Sequence, residues 1–97
     1  MAYVLVHTFL GGTKAQWTAS IDVVHPSREV LPKGMMVHYA GPSAGGWTIV
    51  GVCDSKANWE RFRDDVLTPA MSKGISGGFT SPPQEIAFEA EVEIHAK

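Results

Sequence analysis

Residues 35–54, MMVHYAGPSAGGWTIVGVCD, run directly into SKANWERF at 55–62, and this passage decides the fold. Two apolar stretches, Met35–Gly41 and Trp47–Asp54, flank the turn-forming residues Pro42 to Gly46, so the run predicts a β-hairpin. Asp54 and Ser55 then offer an N-cap to an amphipathic helix whose apolar stripe is Trp59, Phe62, Val66, Leu67 and Ala70. Pro69 falls inside that stripe. It should bend the last turn or break its frame, because proline lacks the N–H that a helix interior needs.

Upstream of the hairpin, Ala2–Leu10 is dense in Val, Leu, Tyr and Phe and stops at Gly11-Gly12, which predicts a first strand. Thr13 with Gln16 three residues on predicts a capping box. Trp17, Ile21 and Val24 follow at helical spacing toward an end near His25-Pro26, and Ser27–Gly34 reads as a connection. Downstream, Gly74–Pro83 is a Gly/Ser/Pro loop. Gln84–His95 alternates Ile86, Phe88, Ala90, Val92 and Ile94 against Ala87, Glu89, Glu91 and Glu93, which predicts a last strand with a solvated edge.

The order βαββαβ over residues 1–97 predicts one α+β domain of ferredoxin-like type, an antiparallel four-stranded sheet in the order 4-1-3-2 with two helices on one face. Both faces of the first strand are apolar: Tyr3, Leu5 and Phe9 on one, Val4, Val6 and Leu10 on the other. Two helices cover one face only. The pattern therefore predicts that a second copy of the chain covers the other, as a homodimer.

The composition excludes several function classes. A chain of 97 residues with 44% hydrophobic and 19% charged residues is globular and holds one core. Its net charge of −2, with the eight cations dispersed, gives no basic footprint for nucleic acid. Cys53 is the only cysteine, which fits a reducing cytoplasm. No stretch is long and apolar enough to predict a membrane helix, and residues 3–10 lack the flanks of a signal peptide.

The stretches GMMVHYAGP (34–42), GWTIVGVCDS (46–55), NWERF (58–62) and LTPA (67–70) resemble the dimeric α+β barrel superfamily, which includes the antibiotic-biosynthesis monooxygenase-like proteins. Within it, the chain resembles a group of small bacterial proteins. The resemblance implies the fold, the dimer, and a pocket in each subunit between sheet and helices. It implies activity only at the level of the superfamily, which holds oxygenases, isomerases and haem-degrading enzymes. Haem degradation would call for an axial histidine on the second helix, and Ser55–Lys73 contains none. The chain also departs from its look-alikes, carrying Gly51 where they often have an acidic residue and Cys53 where they often have an aromatic.

Three residues stand out as candidates for chemistry. His38 lies mid-strand, and its partner depends on the hairpin turn. An even-length turn sets it opposite Gly51 or Cys53 and on the face of Trp47 and Ile49, whereas an odd-length turn sets it with Val50 and Val52. A histidine beside a missing side chain suits a general base or a hydrogen-bond donor to a planar, oxygen-bearing ligand. His7, in phase with Leu5 and Phe9, is either a core residue or a pocket wall, and Trp47 supplies an apolar wall. Tyr39 shares a face with Val37 and Val50 and reads as core. His25, near a helix end where a cation suits the dipole, reads as structural. The histidines show no metal-ligand spacing, so neither a metal nor another cofactor is expected.

Two readings follow. In the first, the chain is a dimer that binds a small, mostly apolar metabolite without catalytic machinery. The absence of an acidic residue opposite His38 favours it. In the second, it is a cofactor-independent monooxygenase or isomerase acting on a small aromatic or polyketide-like compound, with His38 as base or hydrogen-bond donor.

Overall fold

The structure is a computed structural model and describes residues 1–25 and 31–96. Its elements follow the expected order: β1 (Tyr3–Leu10), α1 (Lys14–Val24), β2 (Met35–Ser43), β3 (Gly46–Cys53), α2 (Lys56–Phe62), a π-turn (Arg63–Leu67), α3 (Thr68–Lys73) and β4 (Gln84–Glu89). The four strands form one antiparallel sheet in the order β2-β3-β1-β4, which is the predicted 4-1-3-2 order read from the other edge. The connection expected over Ser27–Gly34 lies partly outside the described residues, at 27–30.

Local chemistry explains the helix starts. Thr13 accepts from the Gln16 amide at 3.2 Å while the Gln16 side chain accepts from the Thr13 amide at 3.0 Å, the reciprocal bonds of a capping box. Ser55 accepts from the Asn58 amide at 3.2 Å, and Asp54 accepts from Asn58 Nδ2 at 2.7 Å, so residues 54–58 lock the entry to α2.

The hairpin turn is shorter than its composition implied. Ser43 pairs with Gly46 and Pro42 with Trp47, leaving only Ala44 and Gly45 as the turn. Gly45 takes φ +83°, a backbone region that favours glycine, and Pro42 is tolerated because β2 is an edge strand. A Cβ added at Gly46 would lie 2.0 Å from the Phe9 carbonyl oxygen, so only glycine lets the hairpin reach the end of β1. The even turn sets His38 opposite Gly51.

Pro69 breaks the frame as anticipated, and the break lies just before it. Thr68 N–H bonds to the Arg63 carbonyl, a five-residue step that inserts one extra residue into the helix. The apolar stripe shifts accordingly. Trp59 and Phe62 are buried and Leu67 packs on the core, but Val66 turns outward.

The last strand is a correction. It ends at Glu89, not His95. Tyr3 is the first residue of β1 and pairs with Glu89, so the chain beyond has no strand to lie against. The Ala90 N–H still bonds to the Ala2 carbonyl at 2.8 Å, and then Glu91 to Ala96 leave the sheet. Glu91 and Glu93 are therefore not strand residues.

The core lies between the helices and one sheet face, where Leu5, Ile21, Val24, Cys53, Trp59 and Phe62 are buried. Each large apolar side chain of this kind contributes about 1.5–3 kcal/mol on burial. The opposite face presents Val4 and Val6 of β1 beside Val50 and Val52 of β3, with Tyr39 and Val37 on one side and Ile86 and Phe88 on the other. Tyr39 (67% exposed) and Ile86 (64%) show that this face is uncovered in the single chain. Tyr39 shares the face of Val37 and Val50 as expected, but it lies outside the subunit core.

Candidate functional site

The core does not fill the space under the helices. A cavity of about 430 Å³ separates the sheet from α1, α2 and α3, within the size range of small-ligand pockets. Leu5, His7 and Phe9 of β1 and His38 of β2 line it from the sheet. Trp17 and Ile21 of α1, with Trp59 and Phe62 of α2, line it from above. Gly51 keeps it wide, since a Cβ there would meet nothing closer than Leu5 Cδ1 at 3.9 Å.

One polar pair stands at the margin. β1 and β4 pair so that His7 faces Glu85, and His7 Nε2 donates to Glu85 Oε2 at 2.7 Å. The His7 side chain is 14% exposed and Glu85 51%, so the pair links the cavity wall to solvent. The His7 ring also tilts against Trp59, with centroids 5.9 Å apart. Such an imidazole–carboxylate arrangement orients the ring and fixes its tautomer.

A second polar pair is buried. His25, at the C-terminus of α1, stacks on Phe62 (5.3 Å between centroids, 13° between planes) and meets His38 edge-on (5.3 Å, 85°). Both rings line the cavity. Burial, and then the neighbouring His38, pull the His25 pKa down to about 4, and burial also lowers that of His38. Both are therefore neutral near pH 7. His25 is not the helix-end cation that its position implied: only 5% exposed, it lies where desolvation outweighs the pull of the helix dipole. Among the described residues, neither His25 Nδ1 nor His38 Nε2 has a hydrogen-bond partner, although both atoms are buried.

The structure thus brings His7 and His38 to one cavity and leaves Trp47 behind. Trp47 is buried with its indole 5.9 Å from that of Trp17, and it is Trp17 that lines the cavity. Trp17 and Trp59, whose helical spacing marked them as core, serve as both core and cavity wall. The sequence reading missed Glu85 and His25. Glu85 precedes the regular alternation of the last strand, and only the β1–β4 register reveals its partner. Cys53 is a buried group whose thiol is pushed up by burial and by Asp54, consistent with a small packed side chain.

No protein-family model matches the sequence, and no curated protein matches it either. Solved structures do match the shape. Rv0793 from Mycobacterium tuberculosis superposes with a TM-score of 0.71 at 14% identity, over 98% of this chain and 100% of that one. A Bordetella bronchiseptica protein named for the antibiotic biosynthesis monooxygenases gives 0.64 at 16% identity, over 94% and 98%. The chain has the fold of the antibiotic-biosynthesis monooxygenase-like proteins. The monooxygenase ActVA-Orf6 of Streptomyces coelicolor, solved in complex with nanaomycin D, also gives 0.64, at 14% identity over 99% of this chain and 92% of that one. At these identities the likeness is one of fold. Among the described residues, no helix is long and apolar enough to cross a membrane.

Proposed function

We propose that the chain binds a small hydroxylated aromatic compound in the cavity and promotes its oxygenation by dioxygen, with His7 as the base and Glu85 orienting it. The observation that carries this reading is the 2.7 Å His7–Glu85 hydrogen bond at the margin of a largely apolar cavity. The sequence favoured a binding protein because no carboxylate stands opposite His38. The carboxylate exists on another strand and serves another histidine, and this shifts the balance toward chemistry. The ligand named with ActVA-Orf6, a protein of the same fold, agrees with an aromatic substrate.

The residues have separable tasks. Trp17, Trp59 and Phe62 sandwich a planar ring and exclude water, which keeps a reactive intermediate from hydrolysis. His7, with Nε2 engaged by Glu85, has Nδ1 left to take the proton of a substrate hydroxyl. The resulting phenolate is electron-rich enough to reduce dioxygen itself. A new C–O bond forms at a ring CH of the substrate, the O–O bond breaks, and one water leaves, so a hydroxyarene plus dioxygen gives a quinone plus water. His38, lowered in basicity by burial and without a carboxylate, suits a neutral hydrogen-bonding role better than that of the base.

The reading includes a homodimer. The uncovered sheet face carries Val4, Val6, Val50, Val52, Tyr39, Ile86 and Phe88, a contiguous apolar surface of the kind soluble monomers seldom expose. A second copy packed face to face covers it symmetrically. The test of the activity is dioxygen uptake with 1,8-dihydroxynaphthalene as probe. Wild type should consume one dioxygen per quinone formed, and Glu85→Gln and His7→Phe should slow it by roughly 10²-fold or more. Uptake by wild type no faster than in buffer would overturn the enzymatic reading and leave a binding protein.

A further inference from the structure

Most of the cavity is walled by hydrogen-bonded structure. Its described lining comes from helices and strands, apart from His25 at the end of α1 and three side chains of one loop, Ile75, Phe79 and Pro83. That loop, residues 74–83, leaves α3 at Gly74 and rejoins the sheet where Gln84 pairs with Thr8. On its way it touches α1: Cβ atoms added at Gly77 and Gly78 would lie 3.7 Å from Ala19 Cβ and 3.0 Å from Ser20 Oγ. It then reaches β1, where Phe79 stacks on Phe9 with ring centroids 3.7 Å apart and 10° between planes. The loop thus runs from α3 to α1 and down to β1, across the open end between helices and sheet. Surface contact alone holds it there. Gly78 N–H bonds to the Ile75 carbonyl at 2.9 Å inside the loop, but among the described residues no hydrogen bond or ion pair ties 75–83 to α1 or to the sheet. At its start Gly74 takes φ +77° with open space about it, a backbone suited to a hinge.

We propose that residues 74–83 form a lid through which the ligand enters and leaves the cavity, latched by Phe79 on Phe9. The proposal rests on the cavity being a ligand site, as set out above, and adds the route of access and the step that limits it. A segment held by contacts without directional bonds opens at lower cost than the helices and strands beside it, whose backbone bonds must break together. Opening parts the aromatic stack and lifts Ile75 and Phe79 from the cavity. Closing restores an apolar wall there and keeps water from the bound ring. Pro83 precedes Glu85 by two residues, so the lid also borders the His7–Glu85 pair, and its closing completes the wall beside that pair.

A reversible lock tests the lid. The 3.7 Å between a Cβ added at Gly77 and Ala19 Cβ suits a disulfide, whose Cβ atoms stand roughly 3.5–4.5 Å apart. Ala19→Cys combined with Gly77→Cys should therefore fasten the lid to α1 when oxidised and free it when reduced. Native Cys53 is buried and stays out of the exchange. The strain of a side chain at φ +75° is common to both states, so the comparison is made within one protein. The probe is 1,8-dihydroxynaphthalene under exclusion of oxygen, followed by stopped-flow tryptophan quenching. The oxidised form should associate with it about tenfold more slowly than the reduced form, or slower still. Phe79→Ala in the wild-type chain gives the answer without a crosslink: loss of the latch should raise association and dissociation rates together, several-fold each. A residue that only lines the cavity would raise dissociation alone. The lid is overturned if oxidised and reduced forms associate equally fast, or if Phe79→Ala leaves the association rate unchanged. Either result with wild type still binding removes the lid and spares the cavity. Failure of wild type to bind the probe at all would remove the cavity as a ligand site, and this proposal with it.

Discussion

At the scale of the residue, the decisive features are histidines whose surroundings differ. His25 has a pKa of about 4 in the folded chain against an ordinary 6.5, so the unfolded chain takes up a proton that the folded chain refuses. Its contribution is complete above pH 6.5 and is lost as the pH falls toward 4, about 3 kcal/mol in all, and His38, lowered in the same direction, adds to the loss. Urea unfolding between pH 4 and 8 should show wild type losing stability more steeply on acidification than His25→Leu. Equal slopes would contradict the buried, neutral state. His25 was read from sequence as a structural residue at a helix end, and its place on the cavity wall was not legible because only packing by Phe62 and His38, distant in sequence, brings it there. His38 was legible to the extent that its candidacy and its Gly51 partner followed from turn parity. Gly51→Leu tests the space opposite it: the side chain should enter the cavity and abolish probe binding while the protein stays folded, and unaltered binding would place the ligand elsewhere.

At the scale of the element, short-range chemistry was the most legible part of the chain. The Thr13–Gln16 box, the Ser55 cap and the frame break at Pro69 each depend on a few neighbouring residues, and each stands where the sequence put it. Ser55→Ala should lower stability by about 1 kcal/mol in urea unfolding, the ordinary cost of a lost N-cap. The hairpin turn and the last strand were less legible because partners distant in sequence decide them. Pro42 and Ser43 are drawn into β2 by pairing with Trp47 and Gly46, and β4 stops because β1 begins at Tyr3. Gly46→Ala is the sharper test of this long-range fit. Its Cβ meets the Phe9 carbonyl, so the hairpin must part from the end of β1, and the loss should reach roughly 2–4 kcal/mol, well above the 0.5 kcal/mol of an ordinary surface change.

At the scale of the whole molecule, the sheet has two faces and uses them differently. One face holds the cavity and its histidines, and the other is apolar and uncovered. The architecture was readable because six elements in the order βαββαβ, joined by right-handed crossovers, lead to the strand order 4-1-3-2 that the sheet has. The His7–Glu85 pair was not readable, since the two residues are 78 positions apart and meet only through strand register. If the second face is a dimer seam, sedimentation should show a dimer at micromolar concentration, and Val6→Asp should give a monomer or a marked loss of stability. A wild-type monomer would contradict that assembly without touching the cavity. The claim on which most depends is that this cavity seats a hydroxylated aromatic against the His7–Glu85 pair. The direct measurement is a crystal structure grown with 1,8-dihydroxynaphthalene under exclusion of oxygen. The account predicts the ring between Trp17 and Trp59 with one hydroxyl within hydrogen-bonding distance of His7. A ligand bound only outside the cavity, or a cavity closed by side-chain collapse, would contradict it.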